Sequence, residues 1–259
     1  MRKSKTLQRI RNGETVRMCC LGHYIPAFVK HAAFFGYDCI WLDLEHRNIA
    51  DRDVEALLVH SHLHDIDIML RPRTREKTEL YRYLEDGAAG LMIPHVNDPQ
   101  TVEDLVQAVK YPPLGDRGLD GAGLDSEYYV RGSEGVADFM RDVNDETFLV
   151  VQIETPAAVA AADEIAAVEG LDGIFVGPGD LGLRIERLDT DLTLDTAFET
   201  VSAACKTHNV AWGCPVGTPE DLAKRQSQGG QLLANAGDFS GFMSALKDGA
   251  AEFDSNPRS

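Results

Sequence analysis

Four stretches of this chain place acid/base or metal-binding side chains at the end of a short apolar run, or just beyond it. They are Leu42-Asp43-Leu44-Glu45-His46, Leu70-Arg71-Pro72, Val151-Gln152-Ile153-Glu154-Thr155 and Val176-Gly177-Pro178-Gly179-Asp180-Leu181. Gln152 and Glu154 are two apart, so on a strand they share a face. Glu154 and Asp180 follow successive runs, and neighbouring strands lie about 4.8 Å apart. Carboxylate oxygens sit about 2.0–2.1 Å from Mg²⁺, so two carboxylates on adjacent strand ends can share one ion. Two such ligands leave coordination sites for water and substrate, as hard oxygen-preferring cations require. The structural alternative is that Glu154 and Asp180 cap helices or pair with arginines.

Arg71 ends an apolar run, where a guanidinium is costly unless it meets an anion or an array of oxygens. It is suited to stabilising charge that develops on an oxyanion; a structural ion pair is the alternative. Asp43 and His46 are close enough in sequence to form an Asp–His dyad at a strand exit. An unperturbed histidine titrates near pH 6.5 and can take a proton at neutral pH, and a carboxylate neighbour would orient it. The Gly177-Pro178-Gly179-Asp180 turn is built of small residues, so its backbone N–H groups can face a carboxylate.

Positioning these residues requires a scaffold that gathers strand ends. Eight strand-length runs are legible: Val16–Leu21, Asp38–Asp43, Ile66–Arg71, Ala89–Ile93, Phe148–Glu154, Gly173–Val176, Val210–Cys214 and Gln231–Asn235. They read as continuous apolar runs, the signature of parallel strands buried on both faces. Helical patterns lie between most of them. Asp51–Leu63 has Val54, Leu57 and Leu58 on one face, and Thr218-Pro219-Glu220-Asp221 starts another helix, with Thr218 as cap. Eight strands alternating with helices over about 250 residues predict an α/β fold, a (β/α)₈ TIM barrel with its chemistry at the C-terminal strand ends. An open doubly wound sheet is the alternative, but Leu21-Gly22-His23 lacks the glycine-rich turn it needs after its first strand.

The chain is expected to form a single barrel domain over residues 1–259. It has one long loop at 111–132, which holds Pro112, Pro113 and five glycines, and a frayed tail at 254–259. Loops of this length are usually functional or interfacial. Hydrophobic residues make up 44% and charged residues 26%, a globular composition. The net charge of −17 would repel phosphate backbones, so no nucleic-acid partner is expected. No apolar stretch reaches about 18 residues, so no membrane span is expected. The basic start is followed by no signal core, and the five cysteines are odd in number and irregular in spacing. Both point to a cytoplasmic protein with reduced thiols.

Taken together, these stretches resemble the HpcH/HpaI aldolase family, the class II pyruvate aldolases. Tyr111-Pro112-Pro113-Leu114-Gly115-Asp116-Arg117-Gly118 adds to the match, and the pieces run in family order from about residue 5 to about residue 250. The resemblance implies a barrel of the phosphoenolpyruvate/pyruvate type, assembled as a homo-oligomer, a hexamer or trimer, with helix exchange between subunits. It implies Mg²⁺, Mn²⁺ or Co²⁺ held by Glu154 and Asp180, His46 as base supported by Asp43, and Arg71 as enolate stabiliser. Gln152, Gly179 and Asp180 would hold the 2-oxo acid, and Glu85 would match an acid supplied across a subunit interface. The implied reaction is cleavage of a 4-hydroxy-2-oxo acid to pyruvate and an aldehyde.

The chain departs from the family where many relatives carry a first-strand tryptophan, since Met18-Cys19-Cys20-Leu21-Gly22-His23 has none. Gly182 replaces a frequent serine, and the last strand ends in Asn235-Ala236-Gly237-Asp238. These departures bear on the aldehyde side of the pocket. Oxaloacetate decarboxylation and a citryl- or malyl-CoA-type lyase are alternatives that use the same enolate. A barrel that binds 2-oxo acids without turnover is a third. A Schiff-base aldolase would need a lysine at a strand end, and Lys30, Lys77, Lys110, Lys206, Lys224 and Lys247 all fall in helices or loops. His60, His62 and His64 read as a surface cluster, and Trp41 and Trp212 as core.

Overall fold

The structure is a computed structural model that describes residues 2–188 and 190–255. Its strands are β1 (Val16–Leu21), β2 (Cys39–Asp43), β3 (Asp67–Arg71), β4 (Gly90–Ile93), β5 (Phe148–Ile153), β6 (Gly173–Val176), β7 (Ala211–Pro215) and β8 (Leu232–Gly237). All pair in parallel and in sequence order, and β8 returns to β1, so the sheet is closed. This is the (β/α)₈ barrel, and closure removes the doubly wound alternative. The strand cores fall where the apolar runs placed them, with ends shifted by up to two residues.

The helices are α1 (Lys5–Arg11), α2 (Pro26–Phe34), α3 (Asp51–Leu63), α4 (Lys77–Glu85), α5 (Pro99–Val109), α6 (Val130–Glu134), α7 (Val136–Glu146), α8 (Pro156–Ala160), α9 (Ala162–Ala166), α10 (Pro178–Arg187), α11 (Leu194–His208), α12 (Pro219–Ser227) and α13 (Asp238–Ser255). The predicted start of α12 is present: Thr218 accepts a hydrogen bond from the Asp221 N–H, and Pro219 opens the helix. Val54, Leu57 and Leu58 are buried along α3, as their spacing requires.

Two apolar layers result from strand alternation. Ile40, Leu42, Ile68, Leu70, Val151 and Ile153 face outward and pack under the helices. Cys39, Met69, Met92, Phe148, Val150 and Phe175 face inward and fill the barrel. Inward parity then continues to Asp43 on β2, Arg71 on β3 and Gln152 on β5. The hydrophobic filling below thus fixes which polar groups emerge at the mouth. At the opposite end, α1 covers the barrel floor: Ser4 Oγ donates to Asp67 Oδ2 at 2.7 Å, and the Thr6 N–H donates to the same oxygen at 2.8 Å.

The stretch read as one loop over 111–132 is more structured than expected. It contains a 3₁₀ turn at Leu124–Ser126 and enters α6 at Val130. Arg117 and Asp125 are both buried there and pair at 2.9 Å, an anchor that glycine and proline content alone did not reveal. Of the tail read at 254–259, Asp254 and Ser255 finish α13, and 256–259 lie outside the described residues. Among the described residues, no helix is long and apolar enough to cross a membrane.

Candidate functional site

Asp43 and Arg71 are register partners on β2 and β3. The Arg71 guanidinium lies flat against the carboxylate, with Nε donating to Oδ1 at 3.0 Å and Nη2 2.9 Å from Oδ2. This is the two-pronged geometry that arginine, unlike lysine, makes with a carboxylate. Arg71 Nη1 donates to Gln152 Oε1 at 3.3 Å and sits 3.0 Å from Glu45 Oε2. The guanidinium also lies over the Trp41 ring at 4.7 Å, a cation–π contact. Arg71 is 7% exposed. Burying one ion costs several kcal/mol, and two carboxylates, an amide and an aromatic face offset that cost here.

Glu154 follows β5 and is buried. Its Oε2 accepts the backbone N–H of His95 at 3.0 Å, and its Oε1 lies 3.4 Å from Gln152 Nε2. Burial holds its carboxyl above the usual range, and the Glu45 and Asp180 charges push the same way. Gly177 closes over it: a Cβ at that position would stand 2.6 Å from Glu154 Oε1. Only glycine leaves room for the carboxylate there. Asp180 lies in the first turn of α10, where Arg184 Nη1 donates to both Asp180 Oδ1 and the Glu154 carbonyl, each at 3.0 Å. Gly179 has open space on its Cβ side.

This donor set suits a hard divalent cation. The charges of Glu45 and Asp180 both bear on Glu154, and the glycine at 177 leaves Glu154 Oε1 room. Among the described residues, no group of three or more His, Cys, Asp or Glu side chains is placed to hold a metal ion. A cation held by the two carboxylates of Glu154 and Asp180 would keep positions for water and substrate oxygens.

The expected Asp43–His46 dyad does not form between side chains. Asp43 Oδ1 accepts the backbone N–H groups of Glu45 at 3.0 Å and His46 at 3.3 Å, and both carboxylate oxygens are committed to Arg71. The His46 ring is largely exposed and instead has Glu45 Oε2 as its carboxylate neighbour, at 3.6 Å. Asp43 therefore shapes the turn that carries His46 rather than pairing with its ring. Glu85 is also apart from the others in this chain. It ends α4, ahead of the N-terminal end of β4, while the rest of the group stands at the C-terminal rim. Burial raises its carboxyl above the usual range although Arg117 acts against that.

Two residues join the site that sequence reasoning had not assigned. Glu45 meets Arg71, His46 and His95. His95 follows β4 and places Nε2 3.0 Å from Glu45 Oε1 and Nδ1 2.9 Å from Glu154 Oε2. Its position two residues beyond a strand-like run, after Pro94, was the available signal. A second histidine–carboxylate pair stands on the same rim, where β1 and β8 end. His23 Nδ1 is 2.6 Å from Asp238 Oδ2, which also accepts the Gly22 N–H at 3.0 Å.

On β1, which carries no tryptophan, Cys20 is the register partner of Trp41 on β2. Burial pushes the Cys20 thiol up to about 12, which favours its protonated form. Lys110 is buried but bonds the Thr147 carbonyl at 2.7 Å and Asp172 at 3.2 Å, on the floor side of β5 and β6. That position does not serve a Schiff base at the rim.

With this geometry in hand, the similarities to known proteins are specific. The profile of the HpcH/HpaI aldolase/citrate lyase family matches residues 18–244. A hydroxypyruvate/pyruvate aldolase of Pseudomonas aeruginosa is 30% identical over 256 residues, covering 95% of this chain and 91% of that one. A 2-dehydro-3,6-dideoxy-6-sulfogluconate aldolase of Pseudomonas putida is 31% identical over 217 residues, 83% of each chain. A hydroxypyruvate/pyruvate aldolase of Sagittula stellata is 37% identical over 146 residues; the match spans 56% of each chain, little more than half of that relative's length. In three dimensions the chain superposes on the crystal structure of an HpcH/HpaI aldolase from Desulfitobacterium hafniense with a TM-score of 0.88 and 27% identity, covering 96% of each. The chain belongs to the HpcH/HpaI aldolase/citrate lyase family.

Proposed function

We propose that this protein is a divalent-metal-dependent aldolase that reversibly cleaves a 4-hydroxy-2-oxo acid to pyruvate and an aldehyde. The observation that carries this reading is the convergence of Arg71, Gln152 and Glu154 on one rim, with His46 exposed beside them. The cation, Mg²⁺, Mn²⁺ or Co²⁺, would be held by Glu154 and Asp180, and it supplies Lewis-acid polarisation of the 2-oxo acid. Gln152 and the Gly179–Asp180 turn orient the carboxylate end of the substrate. His46 removes the proton of the C4 hydroxyl. The C3–C4 bond then breaks, the aldehyde leaves, the electron pair of that bond passes into the pyruvate enolate, and a proton delivered to C3 in place of the one removed from the hydroxyl completes pyruvate. Arg71 stabilises the negative charge on the enolate oxygen, and Asp43 and Glu45 keep its guanidinium in place.

We further propose that the chain works as a single barrel domain in a homo-oligomer, a hexamer or trimer. Phe242, Met243, Leu246 and Phe253 leave an exposed apolar stripe along α13, a feature suited to burial against another subunit. Such an assembly is also what would carry Glu85 to a neighbour's rim. Five free cysteines suit a reducing cytoplasm.

The deciding experiment is pyruvate release from a panel of 4-hydroxy-2-oxo acids and oxaloacetate, with EDTA and after Mn²⁺ is restored. Aldol cleavage that is lost in EDTA and regained with Mn²⁺ is the expected result. Cleavage that persists after thorough metal removal defeats the proposal. Light scattering on the purified chain reads the oligomeric state.

A further inference from the structure

We propose that His95 is a positioning residue for the metal site, a role that rests on the reading of Glu154 as a cation ligand. One residue makes three contacts with two carboxylates. Its backbone N–H donates to Glu154 Oε2 at 3.0 Å, and its Nδ1 lies 2.9 Å from the same oxygen. Its Nε2 lies 3.0 Å from Glu45 Oε1. The backbone at His95 is left-handed, with φ +57°. A residue with a Cβ adopts that conformation at a cost, and here it turns the N–H and the imidazole toward one oxygen.

The result is a division of labour between the two oxygens of Glu154. Oε2 is fixed by His95 from the β4 side. Oε1 is left facing the Gly177 turn, where an added Cβ would stand 2.6 Å away. A carboxylate held by one oxygen cannot rotate freely about its last bond, so the other oxygen is presented to a cation in a set direction. The same imidazole ties Glu154 to Glu45, and Glu45 contacts both Arg71 and His46. His95 therefore links the metal end of the rim to the end that handles the proton and the enolate charge. Groups that orient metal ligands in this way are worth about 10–100-fold in metal affinity.

The test is Mn²⁺ binding to the full-length protein without substrate, followed by the electron paramagnetic resonance signal of free Mn²⁺. His95→Ala should raise the Kd about 10–100-fold, and His95→Gln, which restores one side-chain N–H, should recover part of the loss. Thermal unfolding in EDTA should be the same for the wild type and both variants. Where His95→Ala does not fold, His95→Phe keeps the ring volume without the nitrogens and should show the same weakening. A folded His95→Ala or His95→Phe protein that binds Mn²⁺ as tightly as wild type, or more tightly, overturns the proposal. Glu154→Gln is the control. If it binds Mn²⁺ as well as wild type, the metal-ligand reading itself fails and takes the His95 role with it. If only Glu154→Gln weakens binding, the metal reading stands and the His95 role alone falls.

Discussion

Arg71 and Asp43 face each other as register partners across β2 and β3, with Nε 3.0 Å from Oδ1 and Nη2 2.9 Å from Oδ2. This pairing decides two roles together. It commits Asp43 to the guanidinium and to the turn below His46, and it points the remaining Arg71 nitrogen at Gln152 and Glu45.

Arg71→Lys should therefore behave as a severe change. A lysine keeps the charge and loses the fork, so Asp43 loses one of its two bonds and the enolate loses an aimed donor. Removal of one such donor costs about 10²–10³ in kcat. Steady-state kinetics check this, with the loss falling on kcat more than on KM.

His46 is exposed, and Glu45 Oε2 lies 3.6 Å from its ring. His46→Ala should leave folding and Mn²⁺ affinity unchanged and lower kcat for cleavage by about 10²–10⁴. Unchanged turnover would remove it from the mechanism. Asp43→Asn should disturb Arg71 as well as the His46 turn, so its loss should not match that of His46→Ala.

At Gly177 the expectation is steric. An alanine methyl would meet Glu154 Oε1 at 2.6 Å and Glu154 Cγ at 2.8 Å, closer than real contacts allow. Gly177→Ala should push the carboxylate aside and weaken Mn²⁺ binding by about 10–100-fold, as calorimetric titration would show. An unaltered Kd would mean that Glu154 can point elsewhere and still hold the ion.

Glu85 offers a test of stability against pH. Burial raises its folded-state carboxyl above the ordinary 4.5, so the folded state binds this proton more tightly than the unfolded chain does. The contribution to stability is full below that ordinary value and is lost as pH rises through the folded one. Glu85→Gln cannot ionise and escapes the loss. Its Tm should gain on the wild type as pH climbs from about 4 to about 7, and a constant difference across that range would contradict the shift.

Much of this site was legible because strand alternation is a strict rule. Once Phe148 and Val150 are buried inside the barrel, Gln152 must face inward as well, and the same parity brings Asp43 and Arg71 to the rim. Between Asp43 and His46 the structure places a backbone contact where the sequence suggested a side-chain one, because sequence separation says nothing of register. Asp43 has a strand neighbour 28 positions away that competes for its oxygens. His95 escaped notice for another reason: the left-handed turn that brings its imidazole to Glu154 and Glu45 is a single-residue event that no periodicity marks. Glu85 was read as an acid supplied across a subunit interface, and a single chain, in which it ends α4 ahead of β4, does not test that reading.

The chain has only two tryptophans, and they occupy unlike surroundings. Trp212 is buried beneath α11 against Phe198, at 6.1 Å between ring centroids. Trp41 lies inside the barrel under the Arg71 guanidinium, with Phe175 edge-on at 5.5 Å. An anion that draws on Arg71 changes the field across the Trp41 indole and leaves Trp212 untouched. The protein therefore carries its own optical probe of occupancy. Titration with pyruvate should shift its emission in a saturable way, and Trp41→Phe should abolish the shift while Trp212→Phe preserves it.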